Sequence, residues 1–235
     1  MVHVLAVVLA RGGSKGIPHK NIVELCGKPV LCWTLDEAEK SKLIDDIILS
    51  SDDPAILQVG REAGVITLYR PPELAQDTTP TLPALQHAVL THENLVNFQY
   101  DYIVELRATS PLKTVEDIDG AIQLLIDSGA DSVIGVTECQ EYHPARVKYL
   151  SDGYIQSFFP EPPNGRRQEL VPLAYVRNGT IYAFRREALF GLDAKLFGHT
   201  KSLAYTMPAE RSVNLESPID LILAEALLLK RTSNT

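Results

Sequence analysis

The chain opens on an uninterrupted apolar run, VHVLAVVLA (residues 2–10). Continuous Val and Leu without polar alternation is how a strand reads when both faces of a parallel sheet are covered. The next stretch sets Leu31, Leu35 and Ala38 on one helical face, and IDDIILS (residues 44–50) is a second buried strand. Asp53 and Pro54 suit the N-cap and first position of a helix with Ile56, Val59 and Ala63 as its buried stripe and Gly64 at its end. VITLY follows as a third strand. The spacing of Leu82, Leu85 and Val89 predicts a helix over 81–92, and DYIVELR is a strand ending at Arg107. Thr114 caps a helix carrying Ile118, Ala121, Ile122 and Leu125, and DSVIGVT (residues 131–137) is the next strand. Strands alternating with helices imply right-handed βαβ units and a parallel sheet.

The alternation breaks at Glu138. Residues 138–175 are rich in Pro, Tyr and charge, with short pieces such as RVKYL and YIQSFF, and predict an inserted β-hairpin or small subdomain. NGTIYAF (residues 178–184) returns to the core. The last helix starts at Ser217-Pro218, with Ile219, Ile222, Leu223 and Ala226 as its apolar stripe. No repeat and no linker divides the chain, so a single domain over 1–235 is expected.

Composition narrows the classes. Of 235 residues 45% are hydrophobic, enough for a sizeable core, and the net charge of −8 disfavours nonspecific nucleic-acid or membrane binding. A phosphate site in such a chain has to be a local basic cluster. Cys26, Cys32 and Cys139 form no CxxC pair and read as reduced packing residues. Val4 to Ala10 is too short to span a membrane and lacks the basic flank of a signal peptide, so a cytoplasmic protein is expected. His87 and His92 are not on one helical face, no HExxH occurs, and Trp33 reads as core.

The segment LARGGSKGIPHKN (residues 9–21) carries the chemistry. It follows the first strand, where ligands of open α/β sheets bind. Gly12, Gly13 and Gly16 let backbone approach a ligand and adopt positive φ, exposed N–H groups form an anion nest, and Arg11, Lys15 and Lys20 add charge. GxxxxGK[ST] and GxGxxG are both absent. Residues 12–16 match GxSxG, but a hydrolase elbow needs an oxyanion loop upstream, and too little chain precedes Gly12 to supply one.

This loop resembles the signature of the acylneuraminate cytidylyltransferases, the CMP-sialic acid synthetases. Further blocks follow in the family's order: YRPPELAQDTTPT, LRATSPLKTVEDID, VRNGTIYAF and SVNLESPIDLILAE. The resemblance implies a mainly parallel three-layer α/β sheet of nucleotidyltransferase type, in a homodimer formed through an inserted β-rich arm, where residues 138–175 fall. It implies attack by the anomeric hydroxyl of a nonulosonic acid on the α-phosphorus of CTP, with Mg²⁺ as cofactor. By similarity, Arg11, Gly12, Gly13, Ser14, Lys15, Asn21, Arg70 and Thr81 hold the nucleotide. Arg11, Lys15 and Lys20 supply the catalytic charge, Lys15 at the leaving pyrophosphate and Lys20 near the attacking hydroxyl. Arg107, Thr109, Ser110, Arg146, Arg167 and Asn178 meet the sugar acid, one or both of the arm arginines acting across the dimer, and Asn178 has an alternative as a turn residue.

Two departures matter. The family's paired acids fall here on Asn214 and Glu216, which leaves one carboxylate for the metal and a water-bridged role for Asn214. Asp220 also matches a family Asp but suits the first turn of the last helix. The family's Gln-Pro is Arg107-Ala108, and Arg107 suits a two-pronged grip on a sugar carboxylate. N-acetylneuraminic, legionaminic, pseudaminic and other 3-deoxy acids all stay open. So do a same-fold transferase for another nucleotide or sugar and a non-catalytic sugar-nucleotide binding protein.

Overall fold

The computed structural model describes residues 2–162 and 166–233. The elements run β1 (Val4–Leu9), a small ribbon of β2 (Glu24–Leu25) and β3 (Lys28–Pro29), α1 (Val30–Glu39), β4 (Asp46–Ser51), α2 (Pro54–Glu62) and β5 (Ile66–Tyr69). Next come α3 (Thr81–Val96), β6 (Tyr102–Leu106), α4 (Val115–Ser128) and β7 (Ser132–Glu138). The hairpin β8 (Lys148–Ser151) and β9 (Tyr154–Ser157) lies within the predicted arm, of which residues 163–165 fall outside the described region. The chain ends with β10 (Tyr175–Arg185), α5 (Arg186–Phe190), β11 (Ser202–Thr206) and α6 (Pro218–Ser233).

Local chemistry sets the boundaries. The Asp53 carboxylate caps α2 by accepting from the Ala55 N–H, with Pro54 at the first position. Thr114 and Asp117 form a capping box on α4, and Gly129 ends that helix with left-handed φ. Helix α3 runs past the predicted His92 to Val96, where Asn97 supplies the left-handed cap.

Seven strands form one sheet in the order β11-β7-β10-β6-β1-β4-β5. Successive β1 side chains point to opposite faces. Val4, Ala6 and Val8 pack under α1, α2 and α4 with Leu35, Ile56 and Ile118, whereas Leu5 and Val7 pack under α3 with Leu85 and Val89. The result is the expected mainly parallel α/β sheet with helices on both faces. β10 is the exception, antiparallel to both β6 and β7. It is reached through the arm instead of a crossover helix, so it can return in the opposite direction. Neither β11 nor the β2–β3 ribbon is visible in the sequence pattern.

One stripe is corrected. Ile219, Ile222 and Leu223 of α6 are 67%, 63% and 47% exposed, and Ala226 is exposed too. The helix docks through Ala224 and Leu228 onto Ile17, Leu25, Val30, Leu112 and Leu215. α6 is apolar on more than one face, so periodicity alone could not choose the buried one.

Candidate active site

β1, β4, β5 and β6 are mutually parallel, so their carboxyl ends share one edge. From those ends emerge Arg11, Asp52, Arg70 and Arg107. A cavity of about 390 Å³ opens there, roofed by the segment 74–81 and the start of α3. Ten of the predicted residues line it: Arg11, Ser14, Lys15, Lys20, Asn21, Arg70, Thr81, Arg107, Thr109 and Glu216.

The glycine-rich loop is built differently from expectation. None of Gly12, Gly13 and Gly16 has positive φ. Two of them permit close approach instead. A Cβ on Gly12 would meet the Asp53 carboxylate at 2.6 Å, and one on Gly16 would meet the Glu216 carbonyl oxygen at 2.2 Å. The Gly12 N–H is already given to Asp52 at 3.1 Å, and Gly12 and Gly13 do not line the cavity. Asn21, nearly buried, donates to the Arg11 carbonyl at 2.9 Å and so holds the loop's entry in place. We expect Gly16→Ala to push the Glu216 backbone away and weaken nucleotide binding by at least about tenfold, since backbone contacts yield less readily than side chains. Titration with CTP followed by calorimetry checks this.

The cations are paired in two groups. Asp77 bridges Arg11 (2.6 Å) and Lys15. Hydrogen bonds from Lys15, then from Arg11, hold the Asp77 carboxyl below the usual carboxylate range. Lys20 pairs with Glu216 Oε2 at 2.9 Å, and Asn214 donates to Glu216 Oε1 at 2.7 Å. Arg70 is buried, donates to the Ser50 carbonyl at 2.6 Å, and is pushed below the ordinary guanidinium range chiefly by that burial.

Several predicted contacts point elsewhere. Asn214 does not line the cavity, and its side-chain oxygen accepts from Thr109 (2.6 Å) and Ser110 (3.4 Å). It therefore turns its amide N–H, not an oxygen, toward Glu216. Ser110 is fully buried and also donates to the Gly179 carbonyl at 3.1 Å, which ties the loop after β6 to β10. Asn178 is buried in β10, donates to Ser212 Oγ at 3.0 Å and accepts from the Thr180 N–H. Its side chain shapes the irregularity in that strand and is not at the cavity. Arg146 and Arg167 both grip Glu141, at 3.1 and 2.6 Å, and neither lines the cavity. Asp220 takes hydrogen bonds from the Glu216 and Ser217 N–H groups and the Ser217 hydroxyl, capping α6. Burial alone would raise its carboxyl, but these bonds hold it below the usual range.

Three further residues shape the site. Asp77 lies within YRPPELAQDTTPT, where the motif gives it no role. Glu105 is an acid within an otherwise apolar strand, an exception that is itself a sequence signal. Lys113 is fully buried and donates to Thr34 Oγ1, the Arg107 carbonyl and the Ser110 carbonyl at 2.7, 2.8 and 2.7 Å.

A doubly wound sheet with a basic loop at the carboxyl end of β1 and a cation-lined cavity defines a protein of the nucleotidyltransferase class. The family model for cytidylyltransferases matches residues 5–205, and the chain belongs to that family. It is 32% identical over 221 residues to an N-acylneuraminate cytidylyltransferase of Streptococcus agalactiae, covering 93% of this chain but 51% of that protein. It is 30% identical to a pseudaminic acid cytidylyltransferase of Campylobacter jejuni, over 95% of both chains. It is also 27% identical to the post-translational flagellin modification protein B of Campylobacter coli, over 98% of this chain and 97% of that one. The chain thus spans about half the length of some curated relatives and nearly all of others. Among solved structures, a CMP:2-keto-3-deoxy-manno-octonic acid synthetase complexed with CTP superposes with a TM-score of 0.71 at 18% identity, covering 97% of this chain and 99% of that one. That likeness establishes the shared fold.

Proposed function

We propose that this enzyme transfers CMP from CTP to the anomeric hydroxyl of a sialic-acid-like nonulosonic acid, releasing pyrophosphate. The observation that carries the reading is the cation-lined cavity at the strand ends of a cytidylyltransferase fold. Relatives named for N-acylneuraminate and pseudaminic acid support the acceptor class.

In this reading the acceptor oxygen forms a bond to the α-phosphorus as the bond to the β-phosphate oxygen breaks, and the hydroxyl proton leaves to solvent. In-line displacement of this kind needs positioning and charge neutralisation more than covalent help. Arg11 and Lys15 would exchange Asp77 for the β- and γ-phosphates. Lys20, held at the loop's end, would face the α-phosphate. Arg70 and Thr81 would lie on the cytosine side, and Arg107 would take the sugar carboxylate.

Of the predicted metal ligands, Glu216 supplies the one carboxylate, at the cavity and now accepting from Lys20 and Asn214, while Asn214 spends its oxygen on Thr109 and Ser110. One carboxylate plus phosphate oxygens is a donor set that suits magnesium. Mg²⁺ held there would supply charge neutralisation of the triphosphate. The exposed Tyr149, Leu150, Tyr154 and Ile155 of the β8–β9 hairpin suit burial against a second copy, and we assign the arm to a homodimer contact. A cytoplasmic location fits dependence on a nucleoside triphosphate, and among the described residues no helix is long and apolar enough to cross a membrane.

The test is pyrophosphate release from CTP or GTP with magnesium and a panel of nonulosonic acids. We expect turnover with CTP and at least one acid, and an equal amount of CMP-sugar. CTP binding without pyrophosphate release from any acid would leave a binding protein instead, and a preference for GTP would remove the cytidylyl assignment.

A further inference from the structure

The wall of the cavity carries one acid that the transfer chemistry leaves unused. Glu105 sits in β6, opposite Val7 of β1 and Tyr182 of β10, and is 1% exposed. It lines the cavity. Its Oε1 lies 3.2 Å from Arg107 Nε, close enough for an ion pair but without the alignment of a hydrogen bond. Its Oε2 is buried and has no hydrogen-bond partner. A buried carboxylate oxygen left unmade is costly, and such exceptions in folded proteins call for a physical reason.

The surroundings say what that oxygen can accept. The charged groups facing it are Arg107, at the end of its own strand, and Arg70, beyond β5; the Tyr182 side chain adjoins it from β10. Arg70 is turned to Ser50 and does not satisfy it. Phosphate oxygens are repelled by a carboxylate, and Arg11, Lys15 and Lys20, the cations assigned above to the phosphates, come from the loop after β1 and not from β6. A ligand group meeting Oε2 therefore has to bring a hydrogen-bond donor, a hydroxyl or an N–H.

We infer that Glu105 and Arg107 form an acceptor-selecting pair, in which Glu105 Oε2 takes a hydrogen bond from a hydroxyl or amide N–H of the sugar acid beside the carboxylate that Arg107 binds. This rests on the transfer reading above and narrows its substrate. The site favours acids with a donor group near the carboxylate over analogues that lack it, because the analogue leaves a buried charge unpaired. The acid also holds the Arg107 fork in place against Tyr182, whose ring lies 5.5 Å from the guanidinium carbon. Burial pushes the Glu105 carboxyl up, with Arg107 and then Arg70 opposing. The selecting form is the carboxylate, so discrimination weakens as pH falls through this raised value.

The test uses the full chain with Glu105→Gln and Glu105→Leu, both close in size to the native side chain. Acceptor and CTP kinetics are read by pyrophosphate release across mildly acidic to neutral pH. For Glu105→Leu we expect kcat/KM for the acceptor to fall about thirtyfold, as for a lost bond to a charged group, with KM for CTP within about twofold. Glu105→Gln should fall less and lose the acidic limb of the acceptor kcat/KM profile. The wild type should prefer an acceptor with the donor to its deoxy analogue, and Glu105→Leu should not. Unchanged acceptor kinetics and an unchanged pH profile in both folded variants would overturn the inference. An effect confined to KM for CTP would overturn it too, and would assign Glu105 to the nucleotide's amino group. Failure of the unmutated chain to turn over any sugar acid would be read before any variant is compared; it would sink the transfer reading and this inference with it.

Discussion

Lys20→Ala is expected to lower kcat for pyrophosphate release by about 10²- to 10³-fold, with KM for CTP changed only a few-fold, the cost of removing one preorganised charge from a developing anion. The argument turns on how differently the loop's two lysines are held. The Lys20 side chain is 14% exposed, and its ammonium is fixed by Glu216, so its charge is desolvated and already aimed. The Lys15 side chain is 80% exposed, so its charge is screened and its geometry must be made on binding. Lys15→Ala should therefore cost mainly affinity for the triphosphate, on the order of tenfold. Lys20→Arg should not restore the rate, because a planar fork does not replace a compact ammonium in a space shaped for it. Steady-state kinetics at saturating CTP separate the two lysines. A rise in KM with kcat intact for Lys20→Ala would mean that it binds ground state and transition state equally.

The sheet was legible because buried parallel strands are apolar throughout and their helices carry a strict apolar face, so β1, β4, β6 and β7 and the helices between them follow from residue type. The α6 face was not, since a helix rich in Leu and Ile on several sides offers no unique stripe, and its tertiary partners Ile17, Leu25, Val30, Leu112 and Leu215 decide which side is buried. The β10 direction depends on the arm's path, and no local pattern encodes it. At the site, motif chemistry found the residues that present charge to a cavity: Arg11, Lys15, Lys20, Arg107 and Glu216. It could not tell them from polar residues of the same motifs that face inward. Ser110, Asn178 and Asn214 lie in the family's sequence blocks, yet they join the loop after β6, strand β10 and the segment before α6 into one hydrogen-bonded frame. Glu105 and Lys113 show the converse. Each is a charge in a buried setting, where the burial itself and not the spacing marks the position.

Lys113→Met is expected to destabilise the fold by about 3 kcal/mol, in line with losing hydrogen bonds from a charged donor and leaving a buried acceptor unpaired. Methionine keeps most of the volume, so the loss is polar, not a cavity. The ammonium of Lys113 joins α1, through Thr34, to the carbonyls of Arg107 and Ser110. After substitution the Ser110 carbonyl loses this donor, whereas the Arg107 carbonyl keeps the Thr34 hydroxyl at 3.2 Å. Relief of the ammonium's desolvation works in the opposite direction. That relief exceeds the lost attraction to Glu37 and Asp117, so the net cost comes from the three hydrogen bonds and from the Ser110 carbonyl left buried without this donor. For a chain of this length that is a fall in Tm of roughly 6–12 °C. The pH dependence separates this lysine from an ordinary packing residue. Burial pushes it down to about 7, with Glu37 and Asp117 opposing. Between that value and the lysine's ordinary range near 10 the unfolded chain holds the extra proton, so the native protein gains stability as pH rises and loses that gain as pH falls back through about 7. Urea unfolding at several pH values should show the slope in the wild type and its absence in Lys113→Met. A variant as stable as the wild type, with the same slope, would mean that the loop carrying Arg107 and Thr109 is held by Ser110 and Asn214 alone.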